Sequence, residues 1–193
     1  MACQSPNSRL YKRRVFRYNR GKKGGDAMAA RQETVCFSGY RPDKLPWGED
    51  ESDLRCAMLK ERLYQAVCDA CDEGFRHFIC GMARGVDLYA GEAVLRARVK
   101  YPDITLEAAI PCPTQPDSWP ESERQRWQSL VDRCDFETVV QQQYSQGCMQ
   151  RRNRYMVDHS ARLIAVYDGQ SGGTQQTVEY ALRRELELVL VEM

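Results

Sequence analysis

The chain has 193 residues, 42% hydrophobic and 28% charged, ordinary globular usage that suits one well-buried domain and leaves little room for two. No apolar run approaches the roughly 20 residues that a membrane-crossing helix requires, so no membrane partner is expected. The net charge of +1 conceals an asymmetry: residues 1–33 carry nine Lys or Arg against two acids, and the rest of the chain carries 19 against 25.

That asymmetry divides the chain into a basic N-terminal segment, 1–33, and a mildly acidic domain, 34–193. Arg9–Arg20 interleaves Tyr11, Phe16 and Tyr18 with its cations. Such a composition can stack on nucleic acid, but it more commonly marks a solvated, disordered tail. Lys22-Lys23-Gly24-Gly25-Asp26-Ala27 is what a purine-rich ribosome-binding sequence yields when translated in frame, which makes Met28 the expected native start. Nine cysteines, an odd number with no secretory signal before them, read as the reduced thiols of a cytoplasmic protein. Cys36, Cys80 and Cys112 sit in or beside apolar runs as small core hydrophobes. Cys68 and Cys71 have zinc-like spacing but no second ligand pair, so no metal site is expected. His77 and His159 read as structural.

From Thr34 onward short apolar strands alternate with amphipathic helices, the order of a parallel sheet covered on both faces. Thr34–Ser38 is the first strand. Ser52 caps a helix running to about Glu73, and Gly74 stops it. Phe75–Cys80 is the second strand; after the loop Gly81–Asp87, Asp87 caps a helix to about Tyr101, ended by Pro102. Thr105–Ile110 is the third strand, and the long proline-rich loop Pro111–Pro120 leads into a helix over about Glu121–Cys134. Phe136–Val140 is the fourth, followed by a polar bend over Gln141–Gly147 and a helix from about Met149 to His159. Leu163–Val166, the turn Tyr167–Gly173, a helix from Thr174 to about Glu187 and the strand Leu188–Val191 complete an α/β, Rossmann-like three-layer sandwich with a mostly parallel sheet and helices on both faces.

Ligands in open α/β sheets bind beyond the carboxyl ends of the strands, where the following helices direct free N–H groups and positive dipole ends. Three loops there combine small residues with hydrogen-bond donors, and they nominate Ser38, Gly39 and Arg41 after the first strand, Gly81, Arg84, Gly85 and Asp87 after the second, and Asp168, Gly172, Gly173 and Thr174 after the fifth. Glycine suits such loops because it allows positive φ and lets backbone amides close around an anion, although any tight turn uses it too. There is no Gly-x-Gly-x-x-Gly after the first strand and no Gly-x4-Gly-Lys-Ser/Thr anywhere. Ordinary NAD dehydrogenase and P-loop readings therefore fall, and no cofactor is expected. On the helix Met149–His159, Arg151 and Arg154 share a face, while Arg152 points about 100° away, so one arginine is expected to face the crevice. Trp47 and Trp119 are candidates to stack on a base, and Trp127 lies near the same crevice.

Phe37-Ser-Gly-Tyr-Arg-Pro42 and Cys80-Gly-Met-Ala-Arg-Gly-Val-Asp87 resemble the YpsA-like subgroup of the SLOG superfamily, Rossmann-like domains that include LOG-type phosphoribohydrolases and DNA-processing proteins of the DprA type. The resemblance spans about residues 34–185. Arg152 and Met156 are similar to the Arg-x3-Met helix of LOG enzymes; Gly172-Gly173-Thr174 matches their Gly-Gly-x-Gly-Thr-x-x-Glu loop loosely, with one glycine missing and Glu179 too far along. The resemblance implies a nucleotide or nucleotide-derived ligand, bound by a sensor or regulatory module. It also implies two alternatives. One is N-glycosidic hydrolysis of the LOG type, with Arg152 orienting the phosphate or ribose and Glu179 as the carboxylate, Asp87 or Asp168 standing in for it. The other is single-stranded DNA binding of the DprA type, against which the acidic core argues, so nucleic acid is not an expected partner of the core. Whether any reaction is catalysed stays open. Domains of this kind often self-associate, so a homo-oligomer is possible, though no interface is specified.

Overall fold

A computed structural model describes residues 14–17, by backbone, and residues 31–193; the expected start at Met28 lies outside them. Seven strands form one sheet in which every neighbouring pair is parallel: β1 (Arg14–Arg17), β2 (Thr34–Ser38), β3 (His77–Cys80), β4 (Thr105–Ile110), β5 (Phe136–Val139), β6 (Arg162–Val166) and β7 (Glu187–Val191). Their spatial order is β1-β5-β4-β3-β2-β6-β7. The α-helices among the described residues are α1 (Leu54–Asp72), α2 (Val86–Ala97), α3 (Glu121–Asp132), α4 (Cys148–Asp158) and α5 (Gly173–Arg183). β1 falls within the basic segment, for which no regular structure is expected, and pairs with β5 at the sheet edge, Arg14 opposite Phe136.

The two-residue period of the strands sorts the core into two layers. Val35, Phe37, Phe78, Leu106, Ala108, Ile164 and Val166 pack with α1, α2 and α3 on one face. Cys36, Ile79, Ala109, Leu163 and Ala165 pack with Met156 and Val157 of α4 and Val178 and Ala181 of α5 on the other. From β2 the chain builds outward through β3, β4 and β5, then returns to lay β6 on the other side of β2. The helices after β2 and β6 consequently lie on opposite faces, and their entry loops part over the carboxyl ends of these two strands, the switch point where such sheets hold ligands.

Several boundaries differ from expectation. Asp53, not Ser52, caps α1, its side chain accepting from the Arg55 amide at 2.8 Å. β3 begins at His77, because Phe75 still closes the end of α1 through a bond from its amide to the Ala70 carbonyl. Gly85, not Asp87, occupies the position before α2, and Asp87 lies inside the first turn. α5 stops at Arg183, the chain turning through a left-handed Glu185 (φ 58°) into β7. Cys68 and Cys71 are buried in the core layer of α1. His77 bridges Thr105 (2.8 Å) and the buried Glu107 (3.0 Å), and Tyr155 donates to the same carboxylate at 2.6 Å. Burial alone would raise Glu107, but these hydrogen bonds outweigh it and hold the carboxyl below its usual range.

Candidate functional site

Three chain segments converge above β2 and β6. The loop after β2 passes over the start of α2: the Val86 amide donates to the Tyr40 carbonyl at 3.1 Å, and a Cβ on Gly39 would fall inside the Val86 side chain. Gly85 meets the same crossing with φ +81°, and a Cβ there would come within 2.6 Å of the Tyr40 carbonyl oxygen, so both conformation and space demand glycine. The loop after β6 is tied to the first by Thr174 Oγ1 donating to the Gly39 carbonyl (3.1 Å), Lys44 Nζ donating to the Ser171 carbonyl (2.8 Å) and the Tyr40 hydroxyl donating to Asp168. These contacts bring together residues more than a hundred positions apart.

Between them lies a cavity of about 360 Å³ whose lining includes Ser38, Gly39, Arg41, Asp87, Arg152, Gly172, Gly173 and Thr174, eight residues that the sequence nominated. Lys44, Gln150, Asn153 and Gln176 complete much of the wall. Arg152 is the arginine of α4 that turns inward: it is 3% exposed, donates Nη1 to the Gly81 carbonyl and lies 3.6 Å from Asp87 Oδ2. Asp87 also accepts from the Ala83 amide at 3.2 Å. Burial raises the Asp87 pKa against the opposing pull of Arg152, and burial lowers that of the guanidinium. The Arg152 Nε–H reaches Asn153 Oδ1 (2.8 Å), Asn153 donates on to Thr177 Oγ1 (2.8 Å), and Thr177 to the Gly173 carbonyl (2.9 Å), joining α4 to the first turn of α5.

Other nominated residues lie elsewhere. Gly81 and Gly85 are not in the lining; they form its supporting backbone. Arg84 turns into a neighbouring chamber of about 480 Å³, paired with Glu49 (2.6 Å) and Glu123 (3.5 Å). Asp168 ties loops, accepting from Tyr40 and from the Gln170 amide at 3.1 Å. The Tyr40 bond first, against some burial, lowers its pKa. Glu179 is not brought to Arg152: it lines an adjoining groove of about 290 Å³, accepts from Gln175 at 2.9 Å and faces Arg183 at 4.0 Å. Three residues past Thr174, where the resemblance implies glutamate, stands Thr177. Trp47 and Trp127 are core residues, 7% and 8% exposed, whereas Trp119 lines the Arg84 chamber. Tyr40 and Lys44 escaped nomination although they flank Arg41; their role depends on the loop after β6, which sequence alone does not bring near.

Chemically the cavity offers Arg41, Lys44 and Arg152 against Asp43 and Asp87. It also meets the start of α5, whose leading amides have no side-chain cap and no acid in the first turn. That arrangement favours an anion with a polar extension.

A family model, YpsA, described as the YspA SLOG family, matches residues 35–191. UPF0398 proteins of Bacillus cereus (strain B4264) and Bacillus thuringiensis (strain Al Hakam) are each 24% identical over 159 residues, 81% of this chain and 85% of theirs. Among solved structures, DNA processing protein A from Helicobacter pylori, described for a single-stranded DNA binding mode, is similar with a TM-score of 0.58 at 16% identity, over 86% of this chain and 68% of that one. DprA from Streptococcus pneumoniae gives 0.56 at 17% identity over 86% of this chain, which spans about half (51%) of that protein. These two structures share the fold.

Proposed function

Since the chain belongs to the YpsA family of SLOG domains, we propose that it binds a nucleotide-like ligand in the cavity above β2 and β6, phosphate against the loop Ser38–Lys44 and the start of α5, as a sensor or regulatory module. The observation that carries the reading is the convergence on one cavity of both loops of the switch point together with the buried Arg152. Binding is favoured over LOG-type hydrolysis because Thr177 replaces the expected glutamate and Glu179 lies outside the cavity. Asp87, a buried carboxylate in the lining, is the group that keeps glycosidic cleavage as the second reading. The eight described cysteines are buried and none is in a disulfide, which supports a reducing, cytoplasmic setting. Excluding nucleic acid as a partner does not stand on the overall charge, because the fold likeness includes a protein described for single-stranded DNA binding.

The test is a thermal shift of the whole chain against the four nucleoside 5'-monophosphates, since a ligand bound only by the folded state raises the midpoint. A shift abolished by Arg41→Gln with Thr174→Val supports the reading, and no shift with any of them overturns it. Release of free base during the incubation, lost in Asp87→Asn, would establish the hydrolase instead.

A further inference from the structure

The described arginines of α1, α2 and α3 reach carboxylates, except for Arg62, which reaches the backbone carbonyls of Glu192 and Met193: Arg55 to Asp53, Arg96 to Glu61, Arg124 to Glu121 and Arg126 to Glu51 and Glu92. Arg41, Arg151 and Arg154 have no carboxylate partner among the described residues. Arg151 donates only to the neutral groups Gln141 Oε1, Ser145 Oγ and the Gln146 carbonyl, and Arg154 lies 5.7 Å over the Tyr180 ring. All three line one open groove of about 650 Å³, beside the first turn of α4, with no Asp or Glu among its described lining residues. Tyr144, 71% exposed, stands at its rim. Three like charges around one concavity repel each other; the buried Asp87 acts on Arg41 from the cavity side, and Arg154 also borders the groove of Glu179, but no carboxylate lines the groove the three arginines share.

The groove is not separate from the cavity. Arg41, Met149 and Gln150 line both, so the two compartments meet across the start of α4. Arg152 faces the cavity while Arg151 and Arg154 face the groove. The first phosphate position, against Ser38–Lys44 and the start of α5, and the groove cations Arg151 and Arg154 lie in different compartments on either side of the start of α4, so a ligand reaching both carries two phosphates held apart by a spacer such as its ribose.

We propose that the Arg41–Arg151–Arg154 groove is a second phosphate subsite, and that the ligand is a nucleotide carrying two phosphates separated by its ribose. This rests on the reading that the first phosphate occupies the cavity. Tyr144 provides the flat apolar surface against which the ring between the phosphates, or the next one, lies. The chemistry has two sources, a free nucleoside 3',5'-bisphosphate and the 5'-phosphorylated end of a nucleic-acid strand.

The experiment is calorimetric titration of the full chain with nucleoside 5'-monophosphate, 5'-diphosphate, 3',5'-bisphosphate and a 5'-phosphorylated trinucleotide, each for the four bases, repeated on Arg151→Gln/Arg154→Gln. The bisphosphate is expected to bind about 10-fold or more tighter than both the monophosphate and the diphosphate, an advantage of roughly one charge-assisted phosphate contact, and the double substitution should erase that ratio. Both residues are exposed, and an unchanged melting temperature of the ligand-free double variant confirms that folding is intact. A trinucleotide that outbinds the bisphosphate, with the same dependence on Arg151 and Arg154, supports the subsite and assigns it to a strand end. Equal binding of monophosphate and bisphosphate, or a diphosphate as tight as the bisphosphate, overturns the subsite and leaves the cavity reading intact. Failure of every nucleotide to bind overturns both.

Discussion

Replacing Arg152 with Met removes the cation from a buried pair while keeping most of the side-chain volume. At 3.6 Å and an effective dielectric of about 20, the attraction between the two charges is about 4–5 kcal/mol, and removing one partner of a buried pair costs about 3–5 kcal/mol because the other charge is left behind. For a domain of this length that is a fall in melting temperature of roughly 6–20 °C. The pH dependence gives the argument its direction. Asp87 already sits above its ordinary pKa through burial, so the folded state holds that proton more tightly than the unfolded chain does, and ionising it as pH rises costs stability. Without Arg152 the opposing pull disappears and the pKa climbs further. The deficit of Arg152→Met should therefore shrink as pH falls, as Asp87 takes up a proton and no unpaired charge remains. The double variant Asp87→Leu/Arg152→Met should be more stable at neutral pH than Arg152→Met alone. Urea denaturation at several pH values measures all of this; a cost under about 1 kcal/mol that is the same at pH 5 and 8 would refute the pairing argument.

Gly39→Ala should cost about 1–3 kcal/mol by forcing a methyl into Val86, and Val86→Ala in the same chain should recover part of that in the same denaturation assay. Glu179→Gln should leave nucleotide affinity within about twofold, since Glu179 lies outside the central cavity; a loss of tenfold or more by calorimetry would place it at the ligand. Glu107 is held below its ordinary pKa by His77 and Tyr155 despite burial, so its stabilisation is present at neutral pH and lost as pH falls through the carboxylate range; Glu107→Gln should flatten that acid limb of the stability curve. The eight described cysteines should resist alkylation in the native protein and react on unfolding, as peptide mass spectrometry can follow, with Cys80 and Cys36 the most inert because burial pushes both thiols well up, that of Cys36 to about 12.

Arg152 as the arginine at the site came from the family resemblance, whereas the alternation of strand and helix, the parallel sheet and the divergence of Arg152 from Arg151 and Arg154 were legible in the chain. They depend on local periodicity: every second residue of Val35–Phe37 faces the same layer, and successive residues of α4 diverge by 100° whatever surrounds them. The glycines of Ser38–Pro42 and Gly81–Asp87 were legible as loops but not as a crossing, because the contact between Gly39 and Val86 follows from how far the β3–α2 unit folds back over β2. Asp87 looked like a helix cap from its position, yet Gly85 starts the helix and the carboxylate turns back to Ala83 and Arg152, a choice made by a partner 65 positions later in the chain. Glu179 stood too far along for the motif's glutamate, and helical phase carries it into a different groove. The chain's own pattern thus determined the elements and the end of the sheet where a ligand would sit. Which side chains share the cavity, and which arginines remain unpaired beside it, only the tertiary structure decided, because strand order and loop crossing bring together groups that no local spacing relates.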